Sequence, residues 1–234
     1  EERHVECIPV LTDMGVIHDV ISWADLMGQK TGAVSVMPRS NPIVIMAGGK
    51  GSRMDPFTRI LPKPLIPIGD KTIIEHIMER FYRAGFSRFI YTLNFKKEYL
   101  KLFLQELDAP YSTEWVEEPA FLGTAGALAL LRDRLSESFF VINCDTVLDA
   151  DLVDILAWHK SEGALMTIVG CHREVPVPFG VLKCSNGCLE TIVEKLVYDV
   201  TINTGLYVLE PSVIDCIVSG EPMAMNSLIE RVQD

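Results

Sequence analysis

Apolar residues follow two rhythms along this chain. Short runs rich in apolar and β-branched residues occur at Ile43–Met46, Arg88–Leu93, Thr113–Val116, Phe139–Ile142 and Ala164–Val169, each bounded by polar or turn-forming residues. Such runs predict buried strands. Between them, apolar residues recur with a helical period. Ile73, Ile74, Ile77, Met78 and Phe81 form one set, ended by Gly85, and Tyr99, Leu100, Phe103, Leu104 and Leu107 form a second. Ala125–Leu131, capped by Thr124, and Leu152–His159 give two more predicted helices. The alternation predicts an α/β fold with a mixed, mostly parallel sheet and helices on both faces. Ligands of such a sheet bind at the carboxyl ends of its strands.

From Pro176 the rhythm changes. Gly180–Cys184, Cys188–Val193 and Asn203–Leu209 read as short strands with tight turns, followed by helices around Ser212–Val218 and Asn226–Val232. The first residues form a separate pattern. Val5–Leu11 and Val16–Ile21 are strand-like around a turn at Asp13–Gly15, and Ser22 then caps a short helix, Trp23–Met27. Gln29–Asn41, punctuated by Gly32 and Pro38, reads as a linker. The expected organisation is a small β-β-α unit over 1–28, a linker over 29–41 and one large domain over 42–234.

Composition narrows the classes. A net charge of −11 speaks against nucleic acid or an anionic membrane as the main partner. No apolar run approaches the roughly 20 residues of a membrane span. The six cysteines are scattered, with no Cys-x-x-Cys pair. Cys184 and Cys188 flank a turn, which leaves a zinc pair open, but reduced thiols in a cytoplasmic setting agree better with the spacing. The chain starts Glu1-Glu2-Arg3-His4, with neither Met nor a signal-peptide pattern, and is expected to be part of something longer.

Against this acidic background one stretch is basic. Between Gly48 and Lys71 five cations (Lys50, Arg53, Arg59, Lys63, Lys71) face two anions, Asp55 and Asp70. The strand Ile43–Met46 breaks into Gly48-Gly49-Lys50-Gly51-Ser52-Arg53, and Pro56, Pro62, Pro64 and Pro67 stiffen the chain beyond it. Glycines at a strand's carboxyl end let backbone N–H groups approach an anion, so the stretch predicts a polyphosphate site. A dinucleotide fingerprint fits badly, because the position of its third glycine holds Met54; a P-loop fits badly, because no Gly-Lys-Ser/Thr closes it.

Gly48-Gly49-Lys50-Gly51-Ser52-Arg53-Met54 followed by Pro62-Lys63-Pro64-Leu65 resembles the signature of the sugar-1-phosphate nucleotidyltransferases, and the resemblance extends over Pro42–Asp234. It implies a Rossmann-like sheet and the reaction NTP + sugar 1-phosphate → NDP-sugar + pyrophosphate. By the same resemblance, Arg53 and Lys63 are the expected catalytic residues. Ala47, Gly48, Gly49, Gly51 and Ser52 are expected at the nucleotide, together with Glu118 and the Gly123, Thr124 and Gly126 of Leu122–Leu128. Asp145, closing Asn143-Cys144-Asp145, matches the family's Mg²⁺ ligand. Asp149 and Asp151 read as turn and N-cap residues. Gly180, Glu194, Lys195 and Asn203 match sugar-phosphate contacts, although Leu196 stands where the family has proline. A later segment with a second metal aspartate, expected in the family, is absent before Asp234.

Residues 5–27 resemble the second half of a CBS motif, a module that often binds adenine nucleotides. That half-motif and the missing aspartate keep a second reading open: a nucleotide-sensing regulatory protein on the same fold. An NAD-binding domain is a third. The base and sugar are open, with mannose-1-phosphate guanylyltransferase-like and glucose or aminosugar types both compatible. Bacterial surface-polysaccharide synthesis is suggested by analogy alone. A homo-oligomer is also compatible.

Overall fold

The computed structural model describes Cys7–Leu11, Ile17–Ser22 and residues 37–233. These fall in two units, divided between Met37 and Pro38. In the first, β1 (Cys7–Leu11) and β2 (Ile17–Ser22) pair antiparallel. The expected Trp23–Met27 helix lies outside the described residues.

The second unit is built on a six-stranded sheet. Its first strand, β3 (Ile43–Met46), is followed by three 3₁₀ turns (Ser52–Met54, Phe57–Arg59, Lys63–Leu65) and a small hairpin of β4 (Pro67–Ile68) and β5 (Lys71–Thr72). The prolines thus give a folded loop, as their fixed φ requires. Next come α1 (Ile73–Arg83), β6 (Arg88–Leu93), α2 (Lys97–Glu106) and β7 (Ser112–Glu117). The chain continues through α3 (Gly123–Gly126), β8 (Phe139–Asn143) and α4 (Leu152–Glu162). The strands β9 (Met166–Pro176), β10 (Val181–Ser185), β11 (Cys188–Val193) and β12 (Val197–Leu209) precede α5 (Met225–Gln233).

The sheet order is β7-β6-β3-β8-β12-β9. The pairs from β7 to β8 are parallel, and β12 is antiparallel to both neighbours. From β3 the chain builds outward through β6 and β7, then crosses back to place β8 on the other side of β3. That reversal is the switch point of an open α/β sheet, where a crevice opens.

Alternation along β3 divides the core. Ile43 and Ile45 pack under α1, α2 and α4, whereas Val44 and Met46 face Leu122–Leu135, Tyr207 and Leu228 of α5. Both faces of the sheet are therefore covered. A capping box between Thr72 and Glu75 starts α1, and Asp151 caps α4 through the N–H groups of Val153 and Asp154. The N-cap reading of Asp151 holds, while Asp149 pairs with Arg80. Edge-on contacts join Phe140 to Phe81 and Phe86 at 5.2 and 5.1 Å, under β8. Phe140→Ala should lower unfolding free energy by about 3–5 kcal/mol, read by urea denaturation.

Three expectations are corrected. The helix expected around Ser212–Val218 is a 3₁₀ segment, Pro211–Cys216. The helix at Ala125–Leu131 is a short α-turn, Gly123–Gly126, running into a 3₁₀ segment over Ala127–Arg134. Thr124 does not cap it: its hydroxyl accepts the distant Met225 N–H at 2.8 Å, and Leu122 occupies the N-cap. The strands after Ala164 are also longer than expected, 11 residues in β9 and 13 in β12. They extend past the sheet as an exposed two-stranded ribbon, where pairing continues without a buried face.

Candidate active site

The register sets the site's frame. Met46 sits opposite Thr92 on one side and Asn143 on the other, and Thr92 opposite Val116. The carboxyl ends of β7, β6, β3 and β8 are thus level. At about 4.8 Å per strand they spread a wall over about 14 Å. A cavity of about 310 Å³ opens on this wall, lined by residues from all four strand ends.

The loop after β3 forms its centre. Gly48, Gly49, Gly51, Ser52 and Arg53 all line the cavity, as does Lys63. Gly51 has φ 66°, and Thr58 holds its carbonyl with a 3.1 Å hydrogen bond. This left-handed residue turns the chain so that Arg53 enters the following 3₁₀ turn. Lys96 fixes the loop from behind, donating to the carbonyls of Thr58 (3.1 Å) and Arg59 (2.6 Å). The cations then divide. Arg59 pairs with Asp55 and Lys71 with Glu79, whereas Arg53 and Lys50 make no hydrogen bond or ion pair among the described residues. Arg53 is an exposed guanidinium on a cavity wall, whose N–H donors are ready to bind an anion.

At the β8 end, Asn143, Cys144 and Asp145 line the cavity. Asp145 pairs with Lys63, and the two side chains are 40% and 22% exposed. The carboxylate is open enough to take a cation in place of the ammonium. Burial, reinforced by the Asp145 charge, pushes the Cys144 thiol up to about 12, so it stays protonated and is no nucleophile.

At the β7 end stand Glu118, Phe121, Gly123 and Thr124. Glu118 is buried, and its Oε2 accepts the Leu122 N–H at 2.9 Å. Burial raises its pKa, partly offset by that bond. A Cβ on Gly48 would collide with the other carboxylate oxygen, so only glycine permits this approach. Gly48→Ala should displace Glu118 and weaken nucleotide binding about tenfold. Equilibrium titration with a non-hydrolysable triphosphate measures it.

The cavity gathers ten of the expected residues: Gly48, Gly49, Gly51, Ser52, Arg53, Lys63, Glu118, Gly123, Thr124 and Asp145. Ala47 and Gly126 are buried beside it and pack rather than line. A Cβ on Gly126 would come within 2.7 Å of the Glu221 carbonyl. The four expected sugar-phosphate residues are not in this wall. Gly180 and Glu194 face each other across the β10–β11 hairpin ends, where a Cβ on Gly180 would lie 2.8 Å from the Glu194 carboxylate. Lys195 follows with φ 54°. Asn203 spends its amide internally, donating to Tyr207 Oη and accepting from the Gly205 N–H. Met46, Thr92, Phe121, Asn143 and Cys144 line the cavity without having been expected there. The β3 register with β6 and β8 is the signal that brings in Thr92 and Asn143.

A glycine-rich basic loop at a switch point, an arginine unpaired among the described residues and a strand-end carboxylate come together in one crevice of an α/β domain. The nucleotidyl transferase family profile matches residues 43–231, and the chain belongs to that family. A mannose-1-phosphate guanyltransferase of Schizosaccharomyces pombe is 38% identical over 182 residues, covering 74% of this chain and 50% of that one. The Candida albicans protein of the same name is 36% identical over 206 residues, covering 81% and 56%. The chain thus spans about half the length of the curated relatives it matches. Among solved structures, HddC from Yersinia pseudotuberculosis complexed with GMP-PN superposes with a TM-score of 0.61 and 26% identity, covering 79% of this chain and 82% of that one. A UDP-glucose pyrophosphorylase from Acinetobacter baumannii shares the fold, with a TM-score of 0.63 at 18% identity, covering 83% and 82%.

Proposed function

We propose that the chain transfers a nucleotidyl group from a nucleoside triphosphate to a sugar 1-phosphate, releasing pyrophosphate. GTP and mannose 1-phosphate are the proposed pair. The observation behind this reading is the cavity itself, with a glycine loop and Arg53, unpaired among the described residues, at its centre and the Lys63–Asp145 pair at one end. The guanylyltransferase relatives support the choice of base and sugar. So does Glu118, whose ionised carboxylate only accepts: with Oε2 held by the Leu122 N–H, Oε1 is left to take an N–H donor of guanine's edge.

Both substrates are polyanions and repel as they meet. An oxygen of the sugar phosphate attacks the α-phosphorus in line with the departing pyrophosphate, so no side-chain nucleophile is needed. The Gly48–Gly51 N–H groups and Arg53 neutralise the β- and γ-phosphates and the leaving group. Lys63, released from Asp145, stabilises charge at the α-phosphoryl. Asp145 fits a divalent cation, Mg²⁺ in this proposal: a hard carboxylate at a strand end that substrate phosphates would supplement. When bound, the cation screens the phosphates and polarises the α-phosphoryl. Lys195, with Gly180, Glu194 and Asn203, is assigned to the sugar phosphate. The domain is taken as 42–234, and the setting as cytoplasmic; no helix among the described residues is long and apolar enough to cross a membrane.

Pyrophosphate release with Mg²⁺, over a grid of triphosphates and hexose or aminohexose 1-phosphates, tests the assignment. Release requiring GTP and mannose 1-phosphate supports it in full. Release with another pair retains the reaction and replaces the substrates. Nucleotide bound without release favours the regulatory reading.

A further inference from the structure

Phe121 is the large apolar side chain of the β7 end, and it is 52% exposed on the cavity wall. A lone exposed aromatic is ordinary on a surface. This one lines a cavity beside Glu118, and the turn that carries it is tied on both sides.

Before Phe121, Glu118 donates its N–H to the Leu93 carbonyl at 2.8 Å, and its carbonyl accepts from Asn94 Nδ2 at 3.2 Å. After it, Leu122 is buried: its N–H binds the Glu118 carboxylate, and its carbonyl accepts the Met223 N–H at 2.9 Å. Gly123 has φ 76°, and a Cβ there would strike the Met223 carbonyl. The Ala125 N–H returns to that same carbonyl at 2.9 Å. The ring is thus presented to the cavity by an anchored turn, with little ordering left to cost on binding.

We infer that Phe121 is the platform on which the purine base stacks, with Glu118 reading the base edge beside it. The inference rests on the proposed nucleotide site and deepens it. The phosphate-binding groups, Arg53, Lys63 and Asp145, come from the loop after β3 and from the end of β8. The β7 end holds a carboxylate and an aromatic face, which suit a neutral, flat, donor-bearing ring rather than a phosphate. A planar side chain with two rotatable angles offers a large contact area at small entropic cost. Its grip does not depend on hydrogen-bond pattern, so Phe121 supplies affinity and Glu118 supplies discrimination.

The test is equilibrium binding with Mg²⁺ by the wild type, Phe121→Ala, Phe121→Leu and Phe121→Tyr, each checked for an unchanged melting profile. The probes are a non-hydrolysable GTP analogue and inorganic tripolyphosphate. Phe121→Ala should weaken the GTP analogue about tenfold, Phe121→Leu should fail to restore it, and Phe121→Tyr should restore it. Tripolyphosphate should bind all four alike. Full affinity in Phe121→Ala or Phe121→Leu would overturn the stacking role, as would an equal loss for tripolyphosphate. A wild type that binds neither probe would overturn the nucleotide site itself, a different failure.

Discussion

Arg53→Ala should cut turnover by more than about 100-fold while leaving the melting temperature nearly unchanged. The asymmetry follows from what Arg53 does in the fold, which is very little. It is exposed and makes no hydrogen bond or ion pair among the described residues. Its backbone is placed by Gly51 and by the Thr58 bond to the Gly51 carbonyl, neither of which needs the guanidinium. An unpaired arginine on the wall of a cavity contributes when an anion arrives. Arg53→Lys should recover only part of the loss, because an ammonium is a point charge without the planar fork that grips two phosphate oxygens side by side. Steady-state kinetics beside thermal melts decide the matter. Turnover within a few-fold of wild type would remove Arg53 from the reaction.

The second large effect is expected at Asp145. Asp145→Asn keeps the side-chain shape and removes its charge. Lys63 then loses its partner, and a hard cation loses an open carboxylate on the cavity wall. Turnover should fall about 100-fold or more, and half-maximal rate should need more Mg²⁺. Mn²⁺ binding followed by electron paramagnetic resonance gives a readout independent of activity. Unchanged Mn²⁺ affinity in Asp145→Asn would place the cation elsewhere.

Much of the frame is legible in the sequence because it depends on local pattern. Ile43–Met46 is a run of four apolar residues, three of them β-branched, followed closely by a glycine loop, and its shortness and branching favour the buried strand it forms. The set Ile73, Ile74, Ile77, Met78 and Phe81 gives α1 its buried face. The polyphosphate loop is legible as a local excess of cations in an acidic chain. The features that escape depend on distant partners. Thr124 looks like a cap, yet its hydroxyl is claimed by Met225, a hundred residues on. Phe121 precedes a glycine helix start and carries no pattern of its own. It becomes a site residue only when Glu118 and Met223 tie its turn to the cavity. The full length of the β9–β12 ribbon escapes because its outer residues, such as His172-Arg173-Glu174 in β9, face no core and so carry no apolar run or alternation along that strand.

The central claim is that the α-phosphoryl group, with its nucleoside, moves to the sugar phosphate. GTP labelled separately at the α- and γ-phosphorus, incubated with mannose 1-phosphate and Mg²⁺, tests it most directly. The account predicts α-label in the sugar nucleotide and γ-label in pyrophosphate. Label from the γ-position in a sugar product, or GTP held without any transfer, would contradict it.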